Sequence, residues 1–302
     1  MDHAFEKELE ELERSGSLRV EREAPLSKLC SFRIGGPAEY ALFPKNESGF
    51  IGVCSALRGA GMPIRVVGNA SNILFPDEGV RGAVVFMTAM SGARFSGRSV
   101  TARAGERVTA LASNAKKKGL AGLEFYYGIP GSVGGAVYMN AGAYEHETAE
   151  VLDHSRCYDV KTGEITELKK EEHDFSYRHS AYAGTSRVLL SATYLLTPAN
   201  EEEIGGRMED YMARRKSKQP LEYPSAGSVF KRYPGYFTAK LIDEAGLKGR
   251  AVGGAQVSVK HAGFIINTGG ATAKDVKELV KIIEEELYRR NGIRIERELI
   301  YF

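Results

Sequence analysis

Between residues 128 and 142 the chain reads Gly-Ile-Pro-Gly-Ser-Val-Gly-Gly-Ala-Val-Tyr-Met-Asn-Ala-Gly, five glycines in fifteen positions. Glycine inside a regular element costs roughly 0.5–1 kcal/mol relative to alanine. A cluster this dense marks backbone that something large must approach, or else a run of turns and bulges. A second loop, Gly68-Asn-Ala-Ser-Asn72, follows a predicted strand over 64–67, where backbone N–H groups can point at an anion. It matches neither the GxGxxG fingerprint nor a Walker loop, and an Asn-rich turn is the other reading. Two separate glycine loops are what a diphosphate joined to a bulky ring system needs.

Helical and strand periods alternate around these loops. Phe5, Leu9 and Leu12 recur at spacings of four and three among charges, which predicts an amphipathic helix over 4–15 stopped at Gly16. A strand over 40–43 ends at Pro44, Asn46 caps a helix over 47–58, and the strand over 64–67 completes a βαβ unit. Strands over 83–86 and 99–104 and a helix over 106–118 precede the glycine cluster. Residues 150–197 read as all-β. Asn200 caps a charged helix that Gln219-Pro220 breaks, and the expected domain boundary lies near 198–203. A helix over 238–244, a strand over 264–267, a helix over 273–290 with a Thr272/Asp275 capping box, and a strand over 293–302 finish the chain.

The 302 residues suit two or three domains. A net charge of +2 argues against a protein that coats nucleic acid. No apolar run approaches the ~18 residues of a membrane span, and the charged N-terminus has no signal-peptide core; a cytoplasmic protein is expected. Cys30, Cys54 and Cys157 form no disulfide framework or zinc signature and read as buried thiols. The histidines are not at metal-ligand spacings, so no metal is expected.

Four polar motifs remain. In Asp174-Phe-Ser-Tyr-Arg-His-Ser180, Arg178 can clamp a carboxylate or phosphate, or face solvent. Ser225-Ala-Gly-Ser-Val-Phe-Lys231 has no nucleophile elbow and no His–Asp pair, so a plain turn is its alternative. Glu296 and Glu298 share a strand face with Arg294, ordinarily a solvated edge. Arg214, Arg215, Lys216 and Lys218 crowd a helix C-terminus, which favours cations in any case; an anionic substrate is the sharper reading.

The order of motifs is Phe32-Arg-Ile-Gly-Gly36, Gly68-Asn-Ala-Ser-Asn72, Gly128-Ile-Pro-Gly-Ser-Val-Gly-Gly135, Asn140-Ala-Gly-Ala143, Tyr177-Arg178, Ala226-Gly-Ser-Val-Phe-Lys231, Leu241-Ile-Asp-Glu-Ala-Gly246, His261-Ala-Gly-Phe-Ile-Ile-Asn267 and Glu296-Arg-Glu298. Over about residues 20–302 this order closely resembles the UDP-N-acetylenolpyruvoylglucosamine reductase family, flavoenzymes that complete UDP-N-acetylmuramate in bacterial cell-wall synthesis. The resemblance implies an α+β fold: a vanillyl-alcohol-oxidase-type FAD-binding domain of two α+β subdomains, 17–88 and 89–200, and a C-terminal α+β substrate-binding domain, 201–302. It implies non-covalent FAD held by Arg33, Ile34 and Gly35, by Gly68, Asn69, Ala70, Ser71 and Asn72, by Gly128, Pro130, Gly131, Ser132, Gly134 and Gly135, and by Asn140, Ala141 and Gly142. NADPH would reduce the flavin, and hydride from flavin N5 would pass to the enol ether. Arg178 and Glu298 would act on the substrate's carboxylate end, with Ser228 as proton donor. Tyr177, Arg178, Lys218, Lys231 and Arg232 would bind the UDP-sugar. A monomer with no nucleic-acid or membrane partner is expected.

The short spacing from Arg178 to Ser228 matches the family's shorter type, without its substrate-covering tyrosine segment. Arg232 stands where the longer type has Asn, and Leu299-Ile300 replaces the usual Val-Arg. A flavin oxidase of the same fold and a non-enzymatic nucleotide-binding module are the alternatives.

Overall fold

The computed structural model describes residues 3–232 and 235–302. The chain forms two units. One comprises Met1–Glu23, Glu39–Asn69 and Gly82–Ala213; the other comprises Ala24–Ala38, Ala70–Arg81 and Arg214–Phe302. The division falls inside the helix Glu201–Lys218, and two short upstream segments belong to the second unit.

Among the described residues the first unit holds two larger sheets and two small two-stranded ones. A four-stranded sheet has the order Leu18–Pro25, Pro37–Pro44, Val80–Phe86, Val66–Val67. The helix His3–Arg14 buries Phe5 and Leu9, and Phe5 meets Tyr40 of this sheet edge-on at 5.3 Å. The helix Glu47–Gly59 starts where expected, with the Asn46 side chain accepting from Gly49 N–H. The predicted strand over 64–67 shortens to Val66–Val67, paired parallel with Val85 and Phe86. Pro63, just upstream, has no N–H to give a ladder.

The second sheet is antiparallel, in the order Ile165–Lys169, Leu152–Asp159, Arg187–Leu195, Ser99–Arg103, Ala93–Ser96. Its alternation is legible in Ser99–Arg103: Val100 and Ala102 are buried, while Thr101 faces Thr193 with hydroxyls 2.8 Å apart. Both sheets and their helices share one core running from Phe5 to Met208. Residues 150–197 are less uniform than expected. The helix Thr148–Val151 runs into the region, and a 3₁₀ turn, Lys170–His173, interrupts it. The glycine cluster also holds a helix, Val133–Tyr138. Two glycines at about 1 kcal/mol each speak against it, but Val133 N–H bonds Glu106 O at 2.8 Å and Gly134 N–H bonds Ala104 O at 2.8 Å. Tertiary anchoring outweighs propensity there.

In the second unit an antiparallel sheet runs Ser225–Ser228, Phe264–Asn267, Ala255–Val257, Ala251–Val252. The expected helix forms as Ala273–Asn291 and buries a stripe of Val276, Leu279, Val280, Ile283 and Leu287. Thr272 and Asp275 form the capping box, and the Asp77 carboxylate takes the Ala273 and Lys274 N–H groups at 2.7 and 3.0 Å. The expected strand over 293–302 is not formed as such. Only Ile300–Tyr301 pairs in a ladder, parallel to Ile73–Leu74, and Phe302 packs on Phe75 at 4.8 Å. Residues 296–299 instead bond irregularly to 229–231.

All three cysteines are buried and free, and burial pushes the Cys54 thiol up to about 12. Among the described residues no helix is long and apolar enough to cross a membrane.

Candidate functional site

In the first unit the two glycine loops meet. Asn69 Nδ2 donates to Pro130 O at 2.9 Å. Gly68, directly after the strand Val66–Val67, has no room for a side chain: a Cβ there would fall 2.2 Å from Ser132 Oγ. Ser132 is 1% exposed, and its hydroxyl has no hydrogen-bond partner among the described residues. A buried hydroxyl is costly unless paired, and an anionic oxygen would satisfy it. Gly128 opens the turn before Pro130, and Gly131 O accepts from Val108 N–H at 3.1 Å.

The neighbouring glycines differ in purpose. At Gly134 a Cβ would press on Ala104, 3.3 Å from its carbonyl oxygen, so a side chain there would crowd the protein's own packing. Gly135 is exposed, and a Cβ there would meet only Ser132 Oγ, at 3.7 Å. The protein does not need that bareness, whereas a diphosphate lying along the backbone does. The orphaned Ser132 hydroxyl and the open face of Gly135 fit an FAD diphosphate. Asn140 and Gly142 also have close partners within the fold. Asn140 is buried, with Nδ2 donating to Ser176 O at 3.2 Å and Oδ1 accepting from Ala149 N–H at 3.0 Å. Gly142 sits in a tight hairpin where a Cβ would lie 2.7 Å from His146 O. Ala141 O accepts from Thr148 N–H at 3.0 Å.

Arg178 occupies the tip of a two-residue turn between the paired Ser176 and His179, in the left-handed region at φ 56°. Its guanidinium lies 5.0 Å from the centre of the exposed Tyr177 ring.

In the second unit, residues far apart in sequence converge. Gly35 is required: its φ is 136° and a Cβ would fall 2.6 Å from Phe75 Cβ. Ile34 is buried, and the Phe32 and Arg33 carbonyls accept from Asn267 Nδ2 at 3.2 and 3.4 Å. Ala70 is left-handed at φ 44°, and its carbonyl accepts from Ser31 N–H. Ser31 Oγ donates to Ser225 O at 2.7 Å and reaches Ser71 O at 3.4 Å. Asn72 Nδ2 donates to Glu298 O at 2.9 Å, and Glu298 N–H donates to Val229 O at 2.8 Å. Glu298 is thus held beside the strand end that carries Ser228. Lys231 pairs with Glu296 at 3.2 Å, Arg232 lies over the Phe237 ring at 5.3 Å, and Lys218 is exposed at its helix end.

Residue-by-residue reasoning passed over His261. A Cβ on Gly263 would lie 3.0 Å from His261 Cε1 and 3.1 Å from Ser228 Oγ, so imidazole and hydroxyl border one gap. Its sequence signal is the motif His261-Ala-Gly-Phe264, which by itself assigns no role.

Burial lowers the pKa of His261, with Lys248 and Lys218 acting in the same direction. Burial also lowers that of His173, against hydrogen bonds from its ring to the Lys169 and Lys170 carbonyls. Both imidazoles are therefore neutral in the fold. An unfolded histidine takes a proton near pH ~6.5, so below that value the unfolded chain binds more protons and stability falls as pH falls. The urea midpoint should be lower at pH 5.5 than at pH 7.5, and His173→Gln should flatten this dependence. A parent midpoint equal or higher at pH 5.5 would refute it.

The chain is similar to proteins of known function. The family model for the C-terminal domain of UDP-N-acetylenolpyruvoylglucosamine reductase matches residues 219–302, and an FAD-binding domain model matches residues 38–169. A UDP-N-acetylenolpyruvoylglucosamine reductase of Pediococcus pentosaceus is 44% identical over 282 residues, 93% of this chain and 94% of that protein. One of Clostridium novyi is 45% identical over 274 residues, 91% and 89% of the two chains. The crystal structure of the Thermus caldophilus enzyme superposes with a TM-score of 0.82 at 35% identity, covering 94% of this chain and 99% of that one.

Proposed function

The chain belongs to the UDP-N-acetylenolpyruvoylglucosamine reductase family, FAD-dependent oxidoreductases of peptidoglycan synthesis, and we propose that it reduces the enolpyruvyl ether of its UDP-sugar substrate with Arg178, Ser228 and Glu298. One observation carries this assignment: the 2.8 Å bond from Glu298 N–H to Val229 O, which joins the glutamate to the serine-bearing segment across sixty-nine positions of sequence.

FAD, when bound, supplies the hydride for the terminal carbon of the enol ether. The protein's residues handle the charge and the proton. Negative charge builds on the carboxylate side, and preorganised donors aimed at it are the main lever. The planar fork of Arg178 suits that charge. The proton for the adjacent carbon comes from the Ser228 hydroxyl, which must lie within hydrogen-bond reach of it. A serine hydroxyl is a poor acid, and Glu298 and the neutral His261 are the groups available to tune it. Ser132 and the glycine loops hold the cofactor; Lys218, Tyr177, Lys231 and Arg232 meet the substrate. The functional division follows segments 17–88 and 89–200 for FAD and 201–302 for substrate. NADPH is the reductant, and the enzyme acts in the cytoplasm as a monomer, with a bearing on cell shape, the cell cycle and division.

The test is NADPH consumption by the yellow protein with and without the enolpyruvyl UDP-sugar. Rapid consumption should begin only when the sugar nucleotide is added, with one product formed per NADPH. Oxygen-dependent consumption at the same rate without it would replace the reductase reading with an oxidase.

A further inference from the structure

The turn carrying Arg178 is the tip of a short loop whose two ends are tied to a single buried hydroxyl. Ser155 lies in the strand Leu152–Asp159 and is fully buried. Its Oγ is 2.7 Å from His173 Nε2 and 2.6 Å from Tyr182 OH. His173 Nδ1 lies 2.8 Å from Lys169 O. A carbonyl can only accept, so the proton is on Nδ1 and Nε2 accepts from Ser155, which in turn accepts from Tyr182. Each member of this chain has its partner. His173 and Tyr182 are buried, and the His173 ring stacks on Phe175 at 5.0 Å and 10°. Ala181 N–H to His173 O, at 2.6 Å, closes the loop base.

Higher up, the loop is fixed to the segment that carries the glycine cluster. Ser180 Oγ donates to Tyr138 O at 2.8 Å, and Asn140 Nδ2 donates to Ser176 O at 3.2 Å. Tyr138 ends the helix that contains Gly134 and Gly135. The loop is therefore registered against the backbone assigned to the cofactor, and Arg178 stands at its tip.

We propose that Ser155, with His173 and Tyr182, is a positioning clasp for Arg178, which sets the guanidinium against the cofactor-binding segment; this rests on the role assigned to Arg178 above. A loop free at its base would let a long side chain wander, and functional groups must be held to about 0.5 Å. Misplacement by about 1 Å can cost roughly 10²-fold in rate.

The test uses FAD-loaded enzyme and measures the two half-reactions separately. Ser155→Ala should slow reoxidation of pre-reduced enzyme by the enolpyruvyl sugar nucleotide roughly tenfold or more, with FAD content and the rate of flavin reduction by NADPH unchanged. In the double variant Ser155→Ala/Arg178→Ala the loss should be no larger than in Arg178→Ala alone, because the clasp acts only through the arginine. Tyr182→Phe keeps the ring and removes one hydroxyl; it should act in the same direction and serves if Ser155→Ala does not fold. Equal slowing of both half-reactions, or losses that multiply in the double variant, would make the clasp merely structural and overturn the inference. An Arg178→Ala enzyme with a normal substrate half-reaction would instead overturn the role of Arg178, and the clasp with it.

Discussion

Replacing Ser228 with alanine should leave flavin reduction by NADPH nearly untouched and slow product formation from pre-reduced enzyme by about 10²–10⁴-fold, the usual contribution of a placed general acid. Ser228 ends the strand Ser225–Ser228 and pairs in register with Phe264 through the backbone. That ladder does not use the side chain, so alanine preserves it. The hydroxyl borders the gap at Gly263, where a Cβ would lie 3.1 Å from Oγ. Removing one oxygen there creates no packing fault, and any large loss in the second half-reaction is then chemical. A deficit confined to the substrate half-reaction is also what separates a proton donor from a residue that binds cofactor. Rapid mixing of pre-reduced variant with the enolpyruvyl sugar nucleotide reads the rate directly. Product within a few-fold of the parent rate would remove Ser228 from the chemistry and leave it a turn residue.

Gly135→Leu should cost most of the bound FAD while the fold persists. The parent protein should be yellow and release FAD on denaturation. Gly135 is exposed and nothing but Ser132 Oγ, at 3.7 Å, would meet a Cβ. A Cβ there meets little of the protein, and a leucine side chain would extend into the space assigned to the cofactor beside the Ser132 hydroxyl. Gly134→Leu is the instructive contrast. Its side chain would run into Ala104 O, 3.3 Å from the Cβ position, so flavin loss there would come with damage to the packing between the helix Val133–Tyr138 and residue 104. Flavin-to-protein ratio by absorbance, together with the thermal midpoint of each purified variant, distinguishes the two. A Gly135→Leu protein with full FAD occupancy would show that the cofactor does not run along this backbone.

The glycine cluster was legible in sequence as a place of close approach, but not which glycine serves what. Residues 134, 135 and 142 look alike as letters. Only the neighbours separate them: Ala104 for Gly134, the His146 carbonyl for Gly142, and an ordinary 3.7 Å contact with Ser132 Oγ for Gly135. Asn140 was similarly ambiguous. The resemblance assigns it to the cofactor, and the fold also gives its nitrogen Ser176 O and its oxygen Ala149 N–H as partners.

Local chemistry determined most of the regular elements from sequence alone. Asn46 and Thr272 accept N–H groups of the helices they precede, because capping involves residues three positions apart. The helix Thr238–Glu244 and the strand Phe264–Asn267 appear as expected, since apolar period and turn residues are local signals. The motif order was also enough to indicate the family and its flavin chemistry. What needed the tertiary structure were features whose partners are distant in sequence. The last strand failed because alternation in 293–302 marks side-chain polarity and does not supply a ladder partner; residues 296–299 find theirs irregularly at 229–231. The Asn72–Glu298 bond, the gap shared by Ser228 and His261, and the Ser155 clasp beneath Arg178 are of the same kind. A hydrogen bond acts over about 3 Å, and sequence spacing carries no measure of that distance once the chain has folded back on itself.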